Sequence, residues 1–316
     1  MTDITATTKF TCHIRNYCPD DFEGYALFHR EARKLDSASS HALALTIAMQ
    51  LNRPHYDPTH DLFLAIADGK VIAYLDVSRE LEIGRMIFDC MVRQDKHRRG
   101  TATALFNHTM HYASETGIQI VHVNIVRDNI AAKRLLQKLG FIFVRRYIEF
   151  GLTFADTPLP DVSKTESSCR HLRHGEEQSL AELQNRAFIN TWGFNPNTME
   201  DIVYSLKLQT GNPSNIIVAV KENQIIGYCW TVLQAEKGIS SVRQPSFIHM
   251  LGVAPEYRGQ GTGKMLLVEG LRYLKEKGAG KVTLTADSEN TAACNLYRSF
   301  GFTIISTRPW YEKRLA

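Results

Sequence analysis

The sequence predicts an α/β protein made of two tandem domains, each with a mixed, mostly antiparallel sheet flanked by helices. Three observations lead to this prediction. The length of 316 residues suits about two domains of ~150 residues each. A glycine-containing pattern near residue 92 returns near residue 253. Strand patterns and helix patterns alternate within each half, as they do in α/β folds.

The internal repeat keeps a constant spacing of 161 residues over three separate landmarks. The matched pairs are Gly100 with Gly261, Asn129 with Asn290, and Gly140 with Gly301. Upstream, Tyr74 matches Tyr228 at an offset of 154, so the second copy holds seven extra residues, which we place in 235–245. Chance does not hold such a register, so the two halves are homologous copies.

The boundary between the copies falls in a segment rich in Pro, Ser and Thr. Residues 155–168 contain these residue types and no apolar periodicity. We therefore predict an N-terminal domain at 1–155, a linker near 156–164 and a C-terminal domain at 165–316.

The elements of each copy follow one order. A helical pattern, at 22–35 or 179–192, precedes a hairpin at 62–77 or 215–233. The first hairpin turns at Asp68-Gly69, a strong turn signal, whereas the Glu222-Asn223 pair is a weaker one.

An apolar strand, a glycine turn and an amphipathic helix follow in each copy. A second apolar strand then leads into a helix that ends at Gly140 or Gly301, where glycine suits the position after a helix end. A strand–helix–strand unit of this length predicts a right-handed crossover between parallel strands.

Composition argues against several classes of protein. The net charge of +4 is too small for a nucleic-acid-binding surface. No apolar run is long enough for a membrane span, and the N-terminus lacks a secretory signal pattern. The six cysteines form no CxxC pair and the histidines lack a third ligand, so we expect reduced thiols, no metal and a cytoplasmic location.

The glycine turn after Val253 carries the chemistry. The chain runs Arg258-Gly259-Gln260-Gly261-Thr262-Gly263 into a helix, which brings backbone N–H groups to the positive end of a helix dipole. That arrangement suits a pyrophosphate. The spacing differs from a P-loop and from the dinucleotide-binding GxGxxG pattern.

This turn resembles the [Gln/Arg]-x-x-Gly-x-[Gly/Ala] signature of the GNAT acetyltransferase superfamily. The downstream block from Asn290 through Leu296-Tyr297 to Gly301-Phe302 is similar to that family's second conserved block. Together these motifs cover about fifty residues, and the repeat extends the resemblance over nearly the whole chain. Within the superfamily, a tandem chain with an altered first copy resembles the mycothiol synthase family.

The resemblance implies a sheet splayed at its central strands, with acetyl-CoA as the co-substrate in the cleft. Amides near the glycine turn would hold the pyrophosphate, the 251–253 backbone would bind the pantetheine arm, and Asn290 would contact the cofactor. Tyr297 would act as the general acid for the leaving thiolate. The implied cofactor-binding residues are Leu251, Gly252, Val253, Arg258, Gly259, Gln260, Gly261, Thr262, Gly263, Lys264, Asn290 and Tyr297.

The general base is less clearly marked in the sequence. Strand periodicity gives His249 the same face as Leu251 and Val253, so we expect it to point toward the cleft as the base or as part of a water relay. Glu236 and Asp287 are weaker candidates. His249 as an ordinary polar strand residue, and Tyr297 as a plain core aromatic, remain alternatives.

The first copy departs from this pattern. Phe88 stands in place of His249 and Leu136 in place of Tyr297, and an apolar side chain cannot donate a proton. The first copy therefore either keeps CoA binding without turnover or presents an ordinary solvated turn. The possible second cofactor site comprises Val92, His97, Arg98, Arg99, Gly100, Thr101, Ala102 and Asn129.

The expected function is direct acetyl transfer to a primary amine of a small molecule, catalysed in the C-terminal domain. Trp192, Phe194 and Glu200 are candidates to line the acceptor groove, although Trp192 could instead pack between helices. The alternatives are a peptide or protein Nα-acetyltransferase and a non-catalytic CoA-binding regulatory protein. The sequence indicates neither the acceptor nor the oligomeric state.

Overall fold

The computed structural model describes residues 12–33, 40–154, 168–209, 212–233 and 246–315. The chain divides into two compact units. The first unit comprises Met1–Val123, Arg134–Ile142 and Glu312–Ala316, and the second comprises Asn124–Lys133 and Phe143–Tyr311.

The helices and strands follow the alternation that the sequence predicts. The first half of the chain contains β1 (His13–Asn16), α1 (Phe22–Ala32), α2 (Ser40–Leu51), α3 (Pro58–Asp61), β2 (Leu62–Ala67), β3 (Lys70–Glu80), β4 (Arg85–Val92), α4 (Thr101–Glu115), β5 (Ile120–Asn124), α5 (Ile130–Lys138) and β6 (Ile142–Thr153). The second half contains β7 (Ser168–His171), α6 (Glu177–Phe188), α7 (Met199–Gln209), β8 (Ile216–Lys221), β9 (Gln224–Val232), β10 (Ser246–Val253), α8 (Thr262–Glu276), β11 (Lys281–Asp287), α9 (Thr291–Ser299) and β12 (Thr303–Arg314).

Each unit contains a mixed sheet in which most neighbours are antiparallel. In the first unit the strand order is β1-β2-β3-β4-β5, and β4 and β5 are the parallel pair. In the second unit the order is β7-β8-β9-β10-β11-β6, with β12 beside β6, and β10 and β11 are the parallel pair. The predicted fold class is confirmed.

Both hairpins close with the same two-residue turn. Asp68 and Gly69 have φ values of 51° and 69°, and Glu222 and Asn223 have φ values of 49° and 64°. Positive φ at both positions is the geometry of the type I′ turn, which matches the twist of the flanking strands. The pair with the weaker sequence signal therefore makes the same connection as Asp-Gly.

The compact units do not coincide with the sequence repeats, because β6 packs in the second unit. This strand follows the helix of the first repeat, yet it pairs with β11 from Lys281↔Thr153 to Asp287↔Tyr147. Phe150 of β6 is fully buried in the second unit's core. A strand pattern in a sequence does not identify the strand with which it pairs. The domain boundaries at 1–155 and 165–316 therefore remain a prediction about the sequence repeats. The linker and the 235–245 insertion lie outside the described residues.

The sheet of the second unit is covered on both faces. Leu266, Leu267 and Leu271 of α8 are fully buried in one apolar cluster. Leu180 of α6 and Trp230 of β9 belong to a second cluster, which also includes residues of α7. Complete burial of one such side chain contributes about 1.5–3 kcal/mol, so both helical layers stabilise the strands that position the site.

Within the described ranges, no helix has the length and apolar character of a membrane span. In the same ranges, no three His, Cys, Asp or Glu side chains come together as metal ligands.

Candidate active site of the second unit

The two parallel strands of the second unit separate partway along their length. β10 and β11 are paired at Ser246↔Val282, Phe247↔Thr283 and Ile248↔Leu284, and no described pairing continues beyond that point. β10 then continues along β9 to Val253, while β11 continues along β6 to Asp287. The divergence opens a wedge in the sheet, as the resemblance implies. Among the described residues, no strand pairs with this edge of β10 from His249 to Val253.

His249 lies at a β-bulge where this wedge begins. The register between β10 and β9 shifts between Ile248 and Met250, which leaves His249 as the extra residue. Its ring centroid is 5.2 Å from that of Trp230 and 6.4 Å from that of Phe247. Those two aromatics pack in the cluster that includes α6 and α7.

The expectation that His249 shares a face with Leu251 and Val253 is wrong. Leu251 and Val253 pack against the cluster that includes α8, whereas the ring of His249 contacts residues of the opposite face. The bulge breaks the two-residue alternation on which the expectation rested. His249 is exposed to solvent, and desolvation by the protein atoms around it lowers the pKa of its imidazole to about 4.

The glycine turn adopts the conformation that its sequence requires. Gly259 and Gly261 have φ values of 73° and 86°, in the left-handed region that side chains disfavour. No atom lies within 4 Å of the position that a Cβ would take at either residue, so both glycines face open space. A ligand can therefore approach the backbone closely at this turn.

Six successive backbone N–H groups of this turn, from Gly259 to Lys264, have no hydrogen-bond acceptor among the described residues. The first intrahelical bond of α8 runs from Met265 N–H to the Gly261 carbonyl at 3.0 Å. Gly261 occupies the N-cap position and offers no side chain to cap the helix. Unpaired donors together with the positive end of the α8 dipole make this turn suited to an anion.

Arg258 fixes the turn through its side chain. Its Nε donates to the Val253 carbonyl at 3.1 Å, and one terminal nitrogen donates to the Ala187 carbonyl at 2.5 Å. The guanidinium thereby joins the end of β10 to the end of α6. The side chains nearby do not cover the amides, since Gln260 donates to the Glu256 carbonyl at 3.0 Å and Lys264 is exposed.

Gly252 of β10 is required by close packing. A Cβ there would lie 2.6 Å from Tyr228 Cε1 and 3.1 Å from Phe188 Cε2. The Tyr228 ring is fully buried against the strand at this point. The absence of a side chain at Gly252 thus lets β10 lie directly on the aromatic layer beside α6.

Tyr297 lies on α9 with its ring in the core. Its side chain is 6% exposed, and its centroid lies 5.9 Å from the rings of Phe150 and Phe302. Its hydroxyl makes no hydrogen bond with a described residue. Burial, with smaller contributions from Cys229 and Cys294, raises the pKa of the phenol well above its usual value, so Tyr297 holds its proton at neutral pH.

Asn290 and Asp287 are engaged in structural contacts. Asn290 caps α9, with its Oδ1 accepting from the Ala293 N–H at 3.1 Å. Asp287 accepts from Arg145 Nε at 3.0 Å and from the Glu289 N–H at 3.0 Å. A carboxylate held this way is a poor choice of base. Glu236 lies outside the described residues.

An aromatic cluster that the sequence did not indicate surrounds Trp192. The Trp192 ring lies 5.6 Å from Trp310 of β12 and 6.1 Å from Tyr147 of β6, and the guanidinium of Arg145 lies 5.8 Å from it. All three rings are half-buried. Trp192 therefore packs against residues of two strands. Neither β6 nor β12 is near Trp192 in sequence, which is why no local pattern revealed the cluster. Phe194 is half-buried and Glu200 is exposed in the first turn of α7.

The corresponding turn of the first unit keeps the backbone shape with different residues. Arg98 and Gly100 have φ values of 60° and 83°. His97 Nε2 lies 3.0 Å from the Val92 carbonyl, as Arg258 does from Val253. Gly100 precedes α4 without a side-chain cap, Thr101 is buried, and Ala102 follows in the first turn.

The remaining parts of a second site are not gathered in that unit. Asn129 belongs to the second unit, where it caps α5 through the Ala132 N–H at 3.0 Å. β4 and β5 separate after Phe88↔Val123, yet the pairing of β4 with β3 continues without a bulge. Leu136 is fully buried and apolar.

Sequence comparison finds a match over most of the chain. The profile of the acetyltransferase (GNAT) family matches residues 25–141 and 178–302. A mycothiol acetyltransferase of Arthrobacter sp. (strain FB24) is 32% identical over 178 residues, which cover 55% of this chain and about half, 54%, of that protein. A mycothiol acetyltransferase of Streptomyces coelicolor is 24% identical over 297 residues, covering 93% of this chain and 92% of that protein.

Two solved structures share the fold along nearly the whole chain. A GCN5-related N-acetyltransferase from Sphaerobacter thermophilus gives a TM-score of 0.71 at 22% identity, covering 96% of this chain and 95% of that one. A tandem GNAT protein from the clavulanic acid biosynthesis pathway gives a TM-score of 0.71 at 15% identity, covering 96% and 98%. At these identities the likeness is one of fold.

Proposed function

The chain belongs to the acetyltransferase (GNAT) family, and we propose that it transfers the acetyl group of acetyl-CoA directly to a primary amine of a small molecule at the site of the second unit. The observation that carries the proposal is the run of unpaired N–H groups from Gly259 to Lys264, placed at the start of α8 and beside the strand that diverges from β11. In the described chain, no side chain covers this turn at Gly259 or Gly261.

These residues fit the groups that acetyl-CoA carries. A pyrophosphate needs several donors in one concave place, which the 259–264 amides supply together with the helix dipole. An extended pantetheine arm needs backbone donors and acceptors, which the unpartnered edge of β10 at Leu251, Gly252 and Val253 offers. We also propose that Asn290 contacts the cofactor in addition to capping α9.

Acetyl-CoA supplies the acetyl group as an activated thioester. Tyr297 holds a proton that it can donate where negative charge develops on a leaving sulfur, because its phenol is kept neutral by burial. His249 is neutral at pH 7, so it can accept a proton or orient a water that does so. Its low pKa makes it a weak base, which favours the relay role over direct deprotonation of an ammonium.

Three features support a small-molecule acceptor. The relatives carry the name mycothiol acetyltransferase. The half-buried rings of Tyr147, Trp192 and Trp310, whose centroids lie 5.6–6.1 Å apart, form an aromatic platform that a small acceptor could contact. Arg145 bridges this platform to the Asp287 carboxylate at the end of β11, so polar groups of an acceptor would meet both charge signs there.

The test measures release of the CoA thiol from acetyl-CoA with two sets of acceptors. These are small primary amines, including amino sugars, and short peptides with free N-termini; a reaction without an acceptor is the control. We expect acceptor-dependent thiol release with at least one small amine, and a product heavier by one acetyl group on its nitrogen. Turnover with peptides alone would replace the proposal by a peptide Nα-acetyltransferase. Binding of acetyl-CoA without turnover on any acceptor would leave a CoA-binding regulatory protein.

A pair of variants locates the acceptor. Trp192→Ala removes the central ring of the platform and should raise the amine KM at least tenfold while the acetyl-CoA KM stays unchanged. Ile189→Ala is the control, because Ile189 lies in the same segment and is 61% exposed. Equal effects of the two substitutions would contradict the acceptor assignment.

A further inference from the structure

The first unit contains a polar cluster that neither the fold nor the proposed reaction uses. Asp76 of β3 and Asp89 of β4 lie directly opposite each other in the antiparallel register, and so share one face of the sheet. Tyr74 lies two residues before Asp76 on the same face, and its hydroxyl donates to Asp89 Oδ2 at 3.0 Å. Two carboxylates placed directly opposite each other are destabilising.

The second repeat shows that the fold does not need charges here. The register positions equivalent to Asp76 and Asp89 are Trp230 and Met250, which are also paired across β9 and β10. That pair packs in an apolar cluster with α6. The same place in the same fold is thus filled by apolar side chains in one copy and by two acids in the other.

The cluster does not contain a cation for each of its two carboxylates. Arg53 pairs with Asp76, with its terminal nitrogen 2.6 Å from Oδ1, and its guanidinium lies 3.3 Å from the centroid of the Tyr56 ring. Asp89 receives the hydrogen bond from Tyr74, which carries no charge. Asp89 is exposed and is the first residue of β4 beyond its pairing with β5, so its carboxylate is reachable from solvent.

A buried polar side chain without hydrogen-bond partners in the described chain lies beside this cluster. His29 of α1 is 4% exposed, and neither of its ring nitrogens has a hydrogen-bond partner among the described residues. Its ring lies 5.0 Å from that of Tyr74 and 4.6 Å from that of Tyr25. Each unpaired ring nitrogen of His29 costs free energy unless something pairs with it.

We propose that this cluster is a binding site for a small amine that carries a hydroxyl group. The ammonium pairs with Asp89, whose charge no cation of the cluster neutralises. The hydroxyl pairs with His29, since a neutral imidazole offers both a donor and an acceptor. Tyr25 and Tyr74 supply aromatic faces, which also attract cations.

Burial lowers the pKa of His29 to about 4, so the imidazole is neutral at pH 7 and adds no positive charge that would repel an ammonium. The exposed Arg33 follows α1 one turn after His29 and contributes a smaller part of that shift. The site lies in the first unit and does not depend on acetyl transfer in the second.

The test is nuclear magnetic resonance of the full chain with 13C-labelled histidine rings, in which the His29 signal is assigned by its loss in His29→Phe. The probes are ethanolamine and glucosamine, with ethylene glycol and glycolate as neutral and anionic controls. We expect both amines to shift the His29 signal saturably and both controls to leave it in place. Absence of a shift with both amines, or equal shifts with all four probes, overturns the proposal.

Two isosteric variants separate the site from general charge effects. Asp89→Asn keeps an acceptor for Tyr74 and should weaken amine binding at least tenfold while raising the melting temperature, because it removes one of two facing carboxylates. Asp68→Asn is the control, since it removes a carboxylate on the β2–β3 turn, where asparagine tolerates the positive φ. Unchanged amine affinity or a lower melting temperature in Asp89→Asn would show that the carboxylate pair is structural.

Discussion

At the residue scale, the same burial that makes an aromatic side chain a core residue also sets its chemistry. Tyr297 packs between Phe150 and Phe302 as any core ring would. Its hydroxyl nevertheless stays without a protein partner among the described residues, and burial keeps it protonated. Tyr297 can therefore be a core residue and the general acid at the same time. A variant that removes only the hydroxyl tests the general-acid role.

Tyr297→Phe keeps the ring and removes the proton that the phenol can donate. We expect kcat to fall at least ~10²-fold and the alkaline limb of the pH–rate profile to be lost or displaced. The melting temperature and the acetyl-CoA affinity should barely change, because no described hydrogen bond is broken. Wild-type kcat with a wild-type pH profile would make Tyr297 a core aromatic only.

His29 makes the stability of the protein depend on pH. Its pKa in the folded chain is about 4, against ~6.5 for an ordinary histidine, so the unfolded chain takes up the proton first as the pH falls. The stability present above pH 6.5 is then lost between pH 6.5 and pH 4, by about 3 kcal/mol at most. His29→Phe should make this decline shallower.

The measurement is the free energy of unfolding by urea from pH 4 to pH 7. The control is His111→Gln, because His111 is exposed on α4. If His29→Phe loses stability with the same slope as the wild type over this window, His29 is not the buried neutral group described above.

The positions of candidate residues were predictable where a motif fixed them and less so elsewhere. The sequence indicated Gly261 and Tyr297 because their types and spacing are specific. It did not indicate that Arg258 bonds two carbonyls or that Asn290 caps α9, since both contacts depend on the placement of neighbouring backbone. It also assigned His249 to the wrong face, because a bulge leaves no mark in a strand pattern.

At the element scale, β10 is shaped by its glycine and its bulge. Gly252 admits the Tyr228 ring, and the shift at His249 redirects the strand where it leaves β11. The hairpins, the glycine turn and the helix ends at Gly140 and Gly301 were all predictable, because each rests on local backbone chemistry. The pairing of β6 with β11 was not, because it joins residues about 134 positions apart.

Gly252→Ala should destabilise the protein by about 1–3 kcal/mol, since its Cβ would lie 2.6 Å from a buried ring atom. Gly263→Ala is the matched control. Its Cβ would meet Val253 Cγ2 at an ordinary 3.7 Å in the first turn of α8, and the first repeat carries Ala102 at this position. Urea unfolding of both variants measures the difference, and equal stabilities would contradict the close packing at Gly252.

At the scale of the whole molecule, all six cysteines are free thiols. A reducing agent should therefore leave the melting temperature unchanged, because no disulfide constrains the unfolded chain. Calorimetry with and without reductant tests this. A drop of several degrees on reduction would reveal a disulfide and an oxidising compartment.

The two repeats share a turn but not the groups around it, so only the second is expected to support turnover. The first repeat has no bulge like the one at His249 and no phenol like that of Tyr297. Arg98 stands in place of Gly259, and Asn129 belongs to the other compact unit. Its turn still presents a left-handed Gly100 at the start of α4.

A comparison of Gly261→Glu with Gly100→Glu in the acetyl-transfer assay tests which repeat catalyses the reaction. The two glycines have φ values of 86° and 83° and face open space, so the substitutions carry the same backbone strain. Gly261→Glu places a carboxylate where the pyrophosphate would bind, and should raise the acetyl-CoA KM at least tenfold, about 1.4 kcal/mol. Gly100→Glu should leave turnover unchanged. Loss of turnover in Gly100→Glu with wild-type kinetics in Gly261→Glu would contradict the assignment of catalysis to the second repeat.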